Sequence, residues 1–153
     1  MIQFTTHVDI DRPPPEVFEF VVDFENTPKW NYFVIDVKKR STDPIGVGTV
    51  FHQVRKTDEQ DYQITALDPG RLIEVKTTPE SLPSFTIRYQ FDPKDAGTRL
   101  IDHWELQSGH NALLERLGAR RIRAAVTENL AKLKELLETG TAQLQDGRIS
   151  KVV

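Results

Sequence analysis

Strand-like alternation fills this chain from residue 2 to residue 107 with one early interruption, and a single long helical stretch near residues 111–139 follows it. That order constrains the fold more than any motif does. Consecutive strands joined by short turns pair as an antiparallel meander. One closing helix with an apolar stripe has only that sheet to pack against. The order therefore predicts an α+β fold in which a curved antiparallel sheet wraps around one helix, with room for a cavity between them.

The individual segments carry the prediction. Ile2, Phe4, Thr6, Val8 and Ile10 alternate with Gln3, Thr5, His7 and Asp9, the period of a strand with one buried face. Pro13, Pro14 and Pro15 stop it, and the last of them suits a helical first turn. Val17, Phe18, Val21 and Val22 then recur at helical spacing, which gives a short amphipathic helix over residues 15–23. Asn26-Thr27-Pro28 reads as a cap followed by proline at a first helical position, so a second short helix is expected to hold Lys29, Trp30 and Asn31. Strands are expected over residues 33–39, 47–56, 62–67, 72–78, 84–91 and 98–107. Asp68-Pro69-Gly70-Arg71 is the clearest turn among their links.

Asn111 is placed to cap the final helix and Gly140 to end it. Ala119, Ile122, Val126, Leu130, Leu133 and Leu137 form its apolar stripe. Leu113, Leu114 and Leu117 lie off that stripe, and Gly118 separates the two sets. Either the helix bends there or its first turn packs separately. Residues 141–153 have weak periodicity and are expected to form a loose tail after one domain spanning residues 1–140.

Composition narrows the possible functions. A length of 153 residues suits one domain. The longest apolar runs fall far short of the roughly 18–20 residues of a membrane span, so no integral membrane segment is expected. The opening residues lack a basic region followed by an apolar stretch, so no secretory signal is expected and a cytoplasmic location is the default. The absence of cysteine excludes disulfides, thiolate metal sites and a cysteine nucleophile. A net charge of −3 argues against nucleic acid as a partner. The four histidines are scattered without helical metal spacing, so no metal site is expected. No nucleotide or other cofactor motif is present.

Several stretches carry a family resemblance: the opening strand with PPPEVFEFVVD, then Pro28-Lys29-Trp30-Asn31, then Ile45-Gly46-Val47-Gly48-Thr49-Val50-Phe51, and finally the closing strand and long helix. Over about residues 2–139 the chain resembles the START/Bet v 1-like (SRPBCC) superfamily, and within it the bacterial polyketide cyclase/dehydrase and lipid-transport group. The resemblance implies a helix-grip fold, with seven strands gripping the C-terminal helix and two small helices closing one end. It also implies a hydrophobic small-molecule ligand such as a lipid, a polyketide or another secondary metabolite. Some members of the group catalyse cyclisation or dehydration, so the fold does not fix the function. Two departures matter. Gly46-Val47-Gly48 falls short of the glycine-rich loop of some members, and no acid–base set of the known cyclases maps onto this sequence.

Strand parity selects the cavity wall. Phe85, Ile87, Tyr89 and Phe91 share one face, as do Leu100, Asp102, Trp104 and Leu106. The expected lining is Trp30, Phe51, Tyr62, Phe85, Ile87, Tyr89, Asp102, Trp104 and Leu117. Aromatic groups with polar tips suit a mostly apolar pocket with a few orienting contacts. The alternative for each is plain core packing. Asp102 interrupts an otherwise apolar face. Buried, it needs a hydrogen-bond partner or a raised pKa. It then either orients a ligand hydroxyl or acts as a general base, with Tyr89 as a hydrogen-bond donor. A salt bridge to an arginine, or a slipped strand that leaves it in water, are the plainer possibilities. Arg116, Arg120, Arg121 and Arg123 cluster beside Leu113, Leu114 and Leu117. They form either a solvated face paired with Glu115 and Glu128 or a surface for an anionic membrane or a ligand carboxylate. The reading is a carrier of an apolar small molecule. A cofactor-independent cyclase or dehydratase and a protein-interaction module are the alternatives, and a homodimer is left open.

Overall fold

The computed structural model describes residues 1–79 and 81–153. Seven strands form one antiparallel sheet: β1 (Ile2–Ile10), β2 (Val34–Lys39), β3 (Val50–Arg55), β4 (Glu59–Asp68), β5 (Leu72–Thr77), β6 (Ser84–Lys94) and β7 (Gly97–Gln107). Their spatial order is β1-β7-β6-β5-β4-β3-β2. The chain thus crosses once, from edge strand β1 to the opposite edge β2, and every other link is a hairpin. Helix α1 (Pro14–Val22) and a 3₁₀ helix (Phe24–Lys29) make that crossing and close one end of the sheet. Helix α2 (Ala112–Thr139) lies in the concavity, packed mainly against β1. Register shifts between Val34 and Asp36 and between Ile64 and Ala66 mark bulges, which add twist and bend to a sheet that curves around a helix. This is the sheet curved around one helix that the element order predicts, and the helix-grip fold that the resemblance implies.

Burial follows the parity argument. Phe85, Ile87, Tyr89 and Phe91 are buried on the inner face of β6 while Arg88 and Gln90 face out. From α2, Leu130, Leu133 and Leu136 are almost wholly buried. Each contributes about 1.5–3 kcal/mol by leaving water. One close approach fixes a residue type. A Cβ at Gly97 would stand 2.4 Å from the Ile10 carbonyl oxygen, so only glycine fits where β7 starts beside the end of β1.

Three expectations need correction. The second short helix begins at Phe24, not at Pro28, and ends at Lys29. Asp23 caps it by accepting from the Glu25 amide, and Asn26 Nδ2 instead donates to the Phe20 carbonyl at 3.1 Å. The driving force is Phe24, which buries its ring against Phe51, Tyr62 and Tyr89. Residues 141–153 are not a loose tail. Gly140, at φ 88°, reverses the chain into a hairpin of β8 (Thr141–Gln143) and β9 (Ile149–Lys151). Ala142 and Leu144 are buried there, and the Ser150 hydroxyl donates to the Lys29 carbonyl at 2.6 Å. Three-residue strands are too short to show a period. Finally, Leu113, Leu114 and Leu117 do not pack as a separate turn. α2 runs continuously through Gly118 and leaves all three exposed.

Candidate functional site: a cavity between sheet and helix

The concave sheet face and α2 enclose a cavity of about 450 Å³. That lies within the usual range of about 300–1,000 Å³ for small-molecule sites. Strands β5, β6 and β7 supply Val75, Phe85, Ile87, Tyr89, Asp102, Trp104 and Leu106, and α2 supplies Ile122, Ala125, Val126 and Asn129. Phe24, Thr27 and Trp30 close the end built by the 3₁₀ helix. The exposed residues Phe33, Lys56, Thr57 and Arg121 form the mouth.

Seven of the nine expected lining residues meet on this wall: Trp30, Tyr62, Phe85, Ile87, Tyr89, Asp102 and Trp104. Two do not. Phe51 is fully buried and stacks on Tyr62 at 5.7 Å with Phe24 edge-on at 5.3 Å, so it backs the wall from behind. Leu117 is 71% exposed and points away from the cavity, because it falls on the side of α2 opposite the buried stripe.

Asp102 is the chemical centre of the wall. It is 1% exposed, which excludes the position in water, and among the described residues it makes no salt bridge to an arginine. Its carboxylate accepts from the Thr6 hydroxyl on β1 and from Trp104 Nε1 at 2.9 Å. Burial pushes its pKa up, and the bonds from Thr6 and Trp104 pull part of the way back. Tyr89 sits directly opposite on β6. Burial, and after it the neighbouring Asp102 carboxylate, push the phenol well above its ordinary value, so it stays protonated and able to donate. A rigid acceptor and a phenolic donor thus share one patch of an apolar wall.

Sequence reasoning missed four polar members. Thr6 was visible on the inward parity of β1, between Phe4 and Val8. Asn129 lies seven residues beyond Ile122 on the inward face of α2 and is 4% exposed. Gln53 is buried on the inward face of β3. Thr27 is buried at the closed end, where its hydroxyl lies near the Tyr62 phenol without a hydrogen bond of normal geometry. At the mouth, Arg55 is held by Asp58 through two bonds of 2.7 Å, and Lys56 lies over the Tyr32 ring at 3.7 Å.

The family model described as polyketide cyclase / dehydrase and lipid transport matches residues 1–138. The chain belongs to that family. Solved structures agree on the fold. Protein XoxI from Bacillus cereus aligns at TM-score 0.72 and 13% identity, covering 91% of this chain and 97% of that one. Ara h 8.0201 aligns at 0.68 and 14%, covering 90% and 97%. The di-domain ARO/CYC protein BexL from the BE-7585A biosynthetic pathway aligns at 0.67 and 16%, covering 90% of this chain and 47% of that one. At such identities the likeness is one of fold. A comparison with curated proteins found no match.

Proposed function

We propose that this family member binds a small apolar molecule in the cavity and orients it by one hydrogen-bonding group set against Asp102 and Tyr89. The observation that carries this reading is a single carboxylate, fixed by two donors, in a wall built mostly of aromatic and aliphatic side chains. Apolar burial at roughly 25 cal/mol per Å² supplies affinity. Asp102 has acceptor capacity left beyond the bonds from Thr6 and Trp104, so it favours ligands that can donate to it. The convex face supports binding inside over docking outside. It is polar, with Glu74 bonded to Arg88 at 2.7 Å and to the Thr65 hydroxyl at 2.7 Å.

Native mass spectrometry followed by denaturing extraction tests the reading. A retained apolar molecule carrying a hydroxyl or amide donor supports it. A protein that emerges empty and takes up no apolar probe counts against it.

The pairing of Asp102 with Tyr89 also favours a second reading, a cofactor-independent cyclase or dehydratase. A raised carboxylate pKa suits a general base, and a protonated phenol suits a carbonyl oxygen. Binding is preferred because Asp102 already accepts two internal bonds. An Asp102→Asn protein that folds and keeps full turnover on a polyketide-like substrate would remove the enzymatic assignment.

A further inference from the structure

The N-terminal half of α2 presents an unusual surface. Leu113, Leu114 and Leu117 are 67%, 51% and 71% exposed. At about 100° per residue, Leu113, Leu117 and Ala124 fall within about 40° of one another, on the side of the helix opposite Leu133. Arg116, Arg120 and Arg123 flank this strip on one side and Arg121 on the other. Between Ala112 and Ala125 the helix carries four arginines against one glutamate, net +3 in a chain of net −3.

These arginines differ from the rest. The other seven each lie within 4.0 Å of a carboxylate: Arg12, Arg40, Arg55, Arg71, Arg88, Arg99 and Arg148. Among the described residues, none of the four on α2 does. The nearest acid in sequence, Glu115, is turned inward, with one oxygen on the Met1 amino group at 2.7 Å and the other on Ser108. The expected pairing with Glu115 is therefore absent. Leucines set between unpaired arginines suit a surface that is apolar beneath a layer of negative charge.

We propose that this face of α2 docks on an anionic lipid bilayer, with the leucines entering the acyl boundary and the arginines meeting the headgroups. A second copy of the chain fits poorly, since a two-fold contact would set four unpaired arginines against four. Nucleic acid fits poorly too, since leucines, with no aromatic among them, occupy the middle of the strip. Arg121 belongs both to this face and to the cavity mouth, so docking would bring the mouth to the membrane surface.

Co-sedimentation of the whole chain with vesicles tests this. Vesicles of phosphatidylcholine alone are compared with vesicles containing about one-third phosphatidylglycerol, at low and high salt. The variants are Leu113→Ser with Leu117→Ser, and Arg116→Gln with Arg120→Gln and Arg123→Gln. Arg121 is left intact so that the cavity is unaltered. Because each cation near an anionic surface is worth about fivefold in binding, the arginine variant should bind anionic vesicles at least tenfold more weakly. The leucine variant should also lose binding, and salt should release the wild type. All substituted side chains are exposed, so melting temperature and uptake of a neutral apolar probe should not change, which separates this test from the cavity reading. Equal binding to both vesicle types, or binding unmoved by the variants, overturns the proposal. So does a dimer dissolved by the leucine variant, or tight RNA binding without vesicle binding.

Discussion

The two halves of α2 share one backbone but not one environment. From Val126 to Leu137 the helix turns its apolar stripe into the core, where Leu133 and Leu136 are fully buried against β1 and the sheet. From Ala112 to Ala125 only Ile122 and Ala125 of the inward face border the cavity, and the outward face carries exposed leucines. The first half is held at its start by polar contacts: Asn111 accepting from the Leu114 amide at 3.0 Å, and Glu115 bonded to the Met1 amine and Ser108. A helix can thus be a core element at one end and the wall of a binding space at the other. The cavity spans the division, from Ile122 to Asn129, and helix propensity does not mark it.

The comparison breaks most easily by substitution along the helix. Leu133→Ala should cost about 2–5 kcal/mol in chemical denaturation, since it empties a fully packed site. Leu117→Ala should stay within about 0.5 kcal/mol. Equal losses would mean that both halves are core.

A smaller effect is expected at the wall that faces the first half. Asp102→Ala leaves the Thr6 hydroxyl and Trp104 Nε1 without their acceptor and should cost about 1–3 kcal/mol. Asp102→Asn keeps an acceptor for Trp104 and a donor for Thr6, and should be at least as stable as the wild type at pH 7. The sign follows from burial. The folded pKa of Asp102 is raised, so its contribution to stability is complete below about pH 4 and is lost as pH rises through the folded value. The advantage of the Asn variant should therefore shrink as pH falls from 7 to 4. An advantage that grows on acidification would contradict the assignment.

Glu115 titrates in the opposite sense. The Met1 ammonium and the Ser108 amide hold its pKa down at about 2. Its anchoring is complete above the ordinary carboxylate value of 4.5 and fades as pH falls toward 2. Hydrogen exchange corrected for intrinsic rates should show residues 111–118 less protected than 126–137 at neutral pH. Glu115→Gln should widen that gap while leaving 126–137 unchanged. Uniform protection along α2 would erase the distinction between the halves.

Much of this was legible in the sequence because it depends on period. Alternation at Phe85, Ile87 and Tyr89, and at Asp102 and Trp104, put the right side chains on the cavity face. Spacing of three and four fixed the inward stripe of α2. Period cannot tell which inward residues touch empty space and which touch one another. Phe51 and Tyr62 have the same inward parity, yet only Tyr62 reaches the cavity, since the Phe24 ring covers Phe51. Leu117 lies off the stripe that Leu130 and Leu133 set, and its exposure follows from that phase and not from its apolar character. The hairpin after Gly140 was hidden because two three-residue strands hold by contacts to Lys29 and Gly140, distant in sequence or irregular in pattern.

The central claim is that the space between sheet and α2 takes an apolar guest. Titration with the neutral fluorophore N-phenyl-1-naphthylamine, comparing the wild type with Ala125→Trp, tests it most directly. Ala125 lines the cavity, so an indole there fills it from the helix side. The account predicts saturable, one-to-one enhancement of fluorescence in the wild type and at least a tenfold loss of affinity in an Ala125→Trp protein of unchanged circular dichroism. Equal uptake by both proteins would place the probe elsewhere and contradict the cavity as the binding site.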